Sequence, residues 1–190
     1  MKKAILAFSS VLVLIFLIIP VTTCAGYSFS SATNKFPDDL EEYLIPEKID
    51  WVRANPYGYI LKILTKAQIP EQSKEETGWI IGLDLDNNVK TGEKWSKIGS
   101  EYNLIVTNKD EQWQVLYENT TTKVKLPLSN ILTVKNNEIR LNITFYHLGY
   151  PEQFKWQIAV VKGEKSYVLS KSGGVYVGSR PDGGFSGGCH

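Results

Sequence analysis

Chemistry in this chain concentrates in one run, Gly82-Leu83-Asp84-Leu85-Asp86-Asn87-Asn88-Val89-Lys90-Thr91-Gly92. Asp84 and Asp86 are spaced i, i+2, so on an extended chain both carboxylates point to one side. Asn87, Asn88 and Gly92 add turn chemistry and further oxygen atoms directly behind them. Oxygen ligands converging on a sharp turn suit a hard cation, calcium above all. The expected ligands are the side-chain oxygens of Asp84, Asp86 and Asn88, joined by Glu101 from a neighbouring strand. An EF-hand is excluded, because Val89 stands where its glycine is required and Trp95 where its bidentate glutamate should be. The plainer alternative is that Asp84 to Asn88 only end a strand in polar turn residues.

A second kind of chemistry rests on the aromatics, with five Trp and ten Tyr in the chain. Pyranose rings stack on exposed aromatic faces while nearby amides and carboxylates bond their hydroxyls. Trp79 and Trp156 alternate with apolar residues and belong in a core. Trp95 falls in the loop after Gly92 and is the expected exposed platform, with Trp113 and Tyr102 as further candidates for a ligand face. Catalysis finds little support: there is no zinc-binding His cluster and no phosphate loop. Two acids two residues apart on one strand edge more often hold a cation or water than act as a glycosidase pair. The chain is therefore not expected to be an enzyme.

Compartment follows from the first residues. Lys2 and Lys3 precede an apolar run from Ala4 to Ile19 that Pro20 interrupts, the layout of a secretory signal. The run is marginal for a membrane span, which needs about 20 residues. Cleavage after Ala25 is the expected outcome, an uncleaved anchor the competing one. Val21-Thr22-Thr23-Cys24 also loosely matches a lipoprotein box, although Thr23 fits it poorly. If Cys24 is lost, Cys189 is an odd thiol able to pair with another chain; if Cys24 stays unlipidated, a Cys24–Cys189 bridge becomes an option. On each reading the remaining domain is extracellular or on the cell surface. A formal net charge of +1 gives no reason to expect nucleic acid as partner.

The elements that must hold these residues read as short strands. Residues 1–25 form the signal or anchor and 26–44 a Ser-rich linker, with one acidic helical turn at Pro37 to Tyr43 capped by Asp38 or Asp39. Period-two alternation then runs through Tyr57-Tyr59-Leu61-Ile63, Trp79-Ile81-Leu83-Leu85, Tyr102-Leu104-Val106, Trp113-Val115-Tyr117 and Val124-Leu126. It continues through Leu132-Val134, Ile139-Leu141-Ile143-Phe145, Phe154-Trp156-Ile158-Val160 and a strand near Ser166 to Ser170. Turn signals fall at Asn108-Lys109-Asp110, Asn136-Asn137 and Gly163-Glu164. Regular short strands without a long helical period predict an all-β antiparallel β-sandwich, jelly-roll or immunoglobulin-like, over residues 45–185. Residues 186–190 form a tail, while Pro181-Asp182-Gly183-Gly184 is a strong turn.

The strand followed by Asp84-x-Asp86-Asn87-Asn88 and Thr91-Gly92, then Ile98-Gly99-Ser100-Glu101-Tyr102, resembles a DOMON-like β-sandwich. That group includes family 9 carbohydrate-binding modules and the C-terminal domains of glucodextranase-type enzymes. Matching pieces also lie at Leu148 to Val160 and at Pro181-Asp182-Gly183, and Gly99-Ser100-Glu101-Tyr102 replaces the group's usual Gly-Ala-Asp-Tyr while keeping the acid. The resemblance implies a rigid sandwich that binds sugar or haem, several members holding a structural calcium. Haem is disfavoured, because its axial ligands would have to come from His147, His190 or a Met1 lost with the signal. A surface protein that self-assembles by strand exchange is the alternative of a different class, with the Gly26-to-Phe36 segment or the tail as donor. Asn119-Thr120-Thr121 and Asn142-Ile143-Thr144 are glycosylation sequons that fit a cell-surface protein on both readings.

Overall fold

Alternating burial along short segments builds two antiparallel sheets that share one core. The computed structural model describes residues 28–30, 36–55, 58–73, 75–149, 151 and 153–176. Among them the strands are β1 (Ser28–Ser30), β2 (Pro46–Asn55), β3 (Gly58–Thr65), β4 (Thr77–Asp84), β5 (Tyr102–Lys109) and β6 (Gln112–Asn119). They continue as β7 (Lys125–Pro127), β8 (Leu132–Lys135), β9 (Glu138–Thr144), β10 (Gln153–Lys162) and β11 (Lys165–Tyr176), with one helical turn, α1 (Phe145–Leu148). The first sheet has the order β1-β2-β3-β9-β8 and the second β11-β10-β4-β5-β6-β7, with every pairing antiparallel. The all-β sandwich read from the sequence is the observed architecture.

The core lies between the sheets because each strand turns one parity inward. Tyr59, Leu61 and Ile63 of β3 and Ile139, Leu141 and Ile143 of β9 face Trp79, Ile81 and Leu83 of β4 and Trp156, Ile158 and Val160 of β10 in one buried cluster. Trp51 joins the sheets: its ring meets Tyr59 of its own sheet edge-on at 6.3 Å and Phe154 of the other at 5.2 Å. Edge-to-face aromatic pairs of this kind add about 0.5–1.5 kcal/mol beyond area burial. Trp79 is anchored by its indole N–H, which donates to the Leu44 carbonyl at 3.0 Å, and Trp113 stacks on it.

Several local expectations are corrected. The acidic turn is a 3₁₀ helix at Glu42–Leu44, and neither Asp38 nor Asp39 caps it; Glu41 holds the cap position without a side-chain hydrogen bond. Regular alternation begins at Tyr57 in the sequence, yet strand β2 precedes it, and Leu85 lies past the end of β4. The β5–β6 turn sits one residue later than expected, with Asp110 and Glu111 both at positive φ. Phe145 begins α1 instead of ending β9. The last strand, expected near Ser166 to Ser170, extends over Lys165–Tyr176 as β11. The signal or anchor, Cys24, Pro181 to Gly184, Cys189 and His190 lie outside the described residues.

Candidate metal centre and its loop

The central pair β4–β5 positions the site. Leu83 pairs with Tyr102, so the ends of these strands lie side by side, and the chain between them leaves as a loop of residues 85–101. Asp84 ends β4 on the parity opposite the core and is fully buried. Asn87 takes a positive φ of 57°, which an asparagine tolerates, and this turns the chain back over its own start. Glu101 returns beside Asp84: its N–H donates to the Leu83 carbonyl at 3.0 Å and its Oε2 accepts from Leu85 N–H at 2.8 Å. One carboxylate oxygen from each of Asp84, Asp86 and Glu101 therefore lies within 4.8 Å of the others. That separation is about twice a calcium–oxygen bond of about 2.3–2.6 Å.

Two details distinguish this cluster from acids on a turn. Asp84 Oδ1 accepts from Asn88 N–H at 3.1 Å, but the buried Asp84 Oδ2 has no hydrogen-bond partner among the described residues. An ionised oxygen left so is costly unless a cation meets it. The second detail is Thr91. Its hydroxyl lies 3.1 and 3.0 Å from the two Asp86 oxygens, 2.7 Å from Glu101 Oε1 and 2.7 Å from the Asn88 carbonyl. One hydroxyl proton satisfies one such acceptor well, so the remaining oxygens form an electron-rich hollow. Burial first, and the nearby Glu101 charge second, raise the Asp84 pKa to about 6; the Asn88 N–H and the Lys155 charge only partly offset them.

The structure redistributes the expected ligands. Asp84, Asp86 and Glu101, three of the four candidate ligands, lie together. Asn88 joins through its main chain instead: its Oδ1 accepts from Lys90 N–H at 3.1 Å, while its N–H bonds Asp84 and Asp86 and its carbonyl faces Thr91. Thr91 is the site residue that sequence reading does not assign as a ligand. The Thr-Gly pair is visible in the sequence, but the role of Thr91 depends on the turn at Asn87.

The expected sugar-binding aromatics separate onto two faces. Tyr102 shares its parity with Leu104 and Val106, stacks on Tyr117 at 5.0 Å and packs on the core. Trp113 stacks on Trp79 and donates to the Pro70 carbonyl at 2.8 Å. Both are partly buried on the inner side of the second sheet. Trp95 lies on the outer side, half-buried, its ring set against Gly82. A Cβ on Gly82 would stand 2.9 Å from Trp95 Cζ2 and 2.9 Å from Ser100 Oγ, so the glycine makes the space for this packing.

Around Trp95 the loop covers a polar layer. Asn103, 2% exposed, donates from Nδ2 to Glu93 at 3.2 Å and to Glu118 at 3.0 Å. Burial opposes ionisation of Glu93, but hydrogen bonds from Lys123, Asn103 and Trp95 outweigh it and hold its pKa below the ordinary value. Lys97 N–H donates to Gln157 Oε1 at 2.8 Å, Ser96 and Ser100 hydroxyls meet at 3.0 Å, and Glu93 and Ser100 pair as a β-bridge. His147, disfavoured as a haem ligand, has its Nδ1 3.0 Å from Thr144 Oγ1.

The fold and the site together define an antiparallel β-sandwich with an oxygen-rich acidic centre at one end of its second sheet. No family model, curated protein or solved structure matches the chain significantly.

Proposed function

We propose that the protein is a secreted or cell-surface binding module of the jelly-roll or DOMON-like kind, holding a calcium ion between Asp84, Asp86 and Glu101 and binding carbohydrate on the Trp95 face. The observation that carries the cation reading is the buried, unpartnered Asp84 Oδ2 beside two further carboxylates and the Thr91 hydroxyl. Asp84 Oδ2, Asp86, Glu101, the Asn88 carbonyl and Thr91 Oγ1 supply the hard oxygen donors that calcium takes in sets of about 6–8, with water completing the shell. The cation neutralises the buried acids and ties the two ends of the loop together. The carbohydrate reading is supported by the half-exposed indole of Trp95 with Glu93 beside it, and by the resemblance of the loop sequence to sugar-binding sandwiches. Extracellular placement is supported by the signal-like residues 1–25 and by the exposed Asn142 sequon on the outer side of β9. A glycan-array screen in calcium and in chelator tests it: calcium-dependent glycan binding supports the module, and binding that Trp95→Ala leaves intact removes Trp95 from the face.

Self-assembly by strand exchange is the second reading. It is favoured by β1, which adds to the edge of the first sheet through only three residue pairs with β2. Size-exclusion chromatography separates the readings, because exchange gives concentration-dependent dimers or longer chains and a binding module elutes as a monomer.

A further inference from the structure

We propose that the cation acts as a clasp on loop 85–101 and so controls whether Trp95 is presented on the outer face of the second sheet; the inference rests on the cation reading above. The candidate ligands flank the loop on both sides, Asp84 and Asp86 where it leaves the sheet and Glu101 where it returns. Closing both ends of a loop with one ion removes much of the freedom of the chain between them. The connection from ion to indole is short and continuous. Glu101 adjoins Ser100, whose carbonyl accepts from Glu93 N–H at 2.8 Å and whose hydroxyl meets Ser96 at 3.0 Å. Glu93 and Ser96 bracket Trp95, and Glu93, which lies beside the Trp95 side chain, accepts a hydrogen bond from Asn103 Nδ2 at 3.2 Å. Gly92, at φ +66°, lies directly against Ser100: a Cβ there would stand 2.2 Å from the Ser100 carbonyl oxygen. The near half of the loop thus rests on the residue that precedes the ligand Glu101.

On the far side, Thr120 holds the same point. Its N–H and hydroxyl bond the Glu101 carbonyl at 2.8 and 2.9 Å, and its hydroxyl also reaches the Ser100 carbonyl at 2.8 Å. Glu101 is consequently fixed at the sheet end of the loop, and the ion draws Asp84, Asp86 and Thr91 to that fixed point. Without the ion, the ionised acids repel one another across the closure, and the loop with Trp95 separates more readily from Gly82. By linkage, an ion that orders this face and a ligand that binds it strengthen each other.

The test is a calcium titration of the chelator-treated full chain, wild type and Trp95→Phe, read by tryptophan emission, acrylamide quenching and melting. Calcium should raise the melting temperature of both proteins alike. In wild type alone it should shift emission to shorter wavelength and lower quenching by about twofold. Amide hydrogen exchange at Glu93 and Ser100 in wild type, slowed about tenfold by calcium, supplies a readout that needs no variant. Stabilisation of both proteins without any change in Trp95-dependent emission or in loop exchange overturns the clasp and leaves the cation site standing. An emission change equal in wild type and Trp95→Phe overturns it as well, since the signal then comes from other tryptophans. No melting shift in either protein removes the cation reading and the clasp with it.

Discussion

Replacing Asp84 by asparagine should make the metal-free protein more stable while abolishing its response to calcium. In the folded protein the Asp84 carboxyl titrates at about 6 against an ordinary 3.8, because burial and the Glu101 charge disfavour its ionised form. At about 1.36 kcal/mol per pH unit, the difference corresponds to about 3 kcal/mol. The folded state keeps this proton to higher pH than the unfolded chain, so the unfolded chain binds fewer protons between about pH 4 and 6. Stability from this group therefore falls as pH rises through that window and is lowest above it. The asparagine side chain would keep an acceptor for Asn88 N–H and place an amide donor where Asp84 Oδ2 has no partner. In chelator at about pH 7.5, Asp84→Asn should melt higher by roughly 6–12 °C, from about 2–4 °C per kcal/mol for a domain of this size. At about pH 4 the two proteins should converge, and in calcium only wild type should gain. A variant that melts at or below wild type in chelator at the higher pH would refute the electrostatic reasoning.

Further perturbations test the positioning. Gly92→Ala forces a side chain into φ +66° and against the Ser100 carbonyl, and should cost roughly 1–3 kcal/mol in urea unfolding while weakening calcium binding. Gly82→Val should displace Trp95 and raise its acrylamide quenching without removing any acid of the Asp84-Asp86-Glu101 cluster. Trp51→Ala, which empties the junction between the sheets, should cost about 3–5 kcal/mol of unfolding free energy with no change in calcium stoichiometry in the protein that stays folded.

What the sequence disclosed follows the physics of each element. Strands with a buried and a solvated face, such as β9, are legible because Ile139, Leu141 and Ile143 alternate with exposed residues. Strand β2 escapes because Ile49 and Trp51 are set among Glu47, Lys48, Asp50 and Arg53, so its inward parity rests on two side chains. The acids of the site can be proposed from i, i+2 spacing and a strand-adjacent glutamate, since both are local features. The Thr91 hydroxyl and the main-chain role of Asn88 depend on the backbone reversal at Asn87, which spacing does not encode. Tyr102 and Trp113 fall on the core side because each keeps parity with buried neighbours, Leu104 and Val115. Trp95 required the structure, because its place depends on a missing Cβ at Gly82, thirteen residues earlier.

Isothermal titration of calcium into the chelator-treated protein, wild type beside Glu101→Gln, reads ion binding at the acidic centre itself. Wild type should bind one ion per chain, with a dissociation constant near the roughly 0.1–1 mM of extracellular calcium modules, and Glu101→Gln should bind at least about tenfold more weakly. No saturable heat up to about 10 mM calcium, or equal affinity in the two proteins, would contradict calcium binding at this centre.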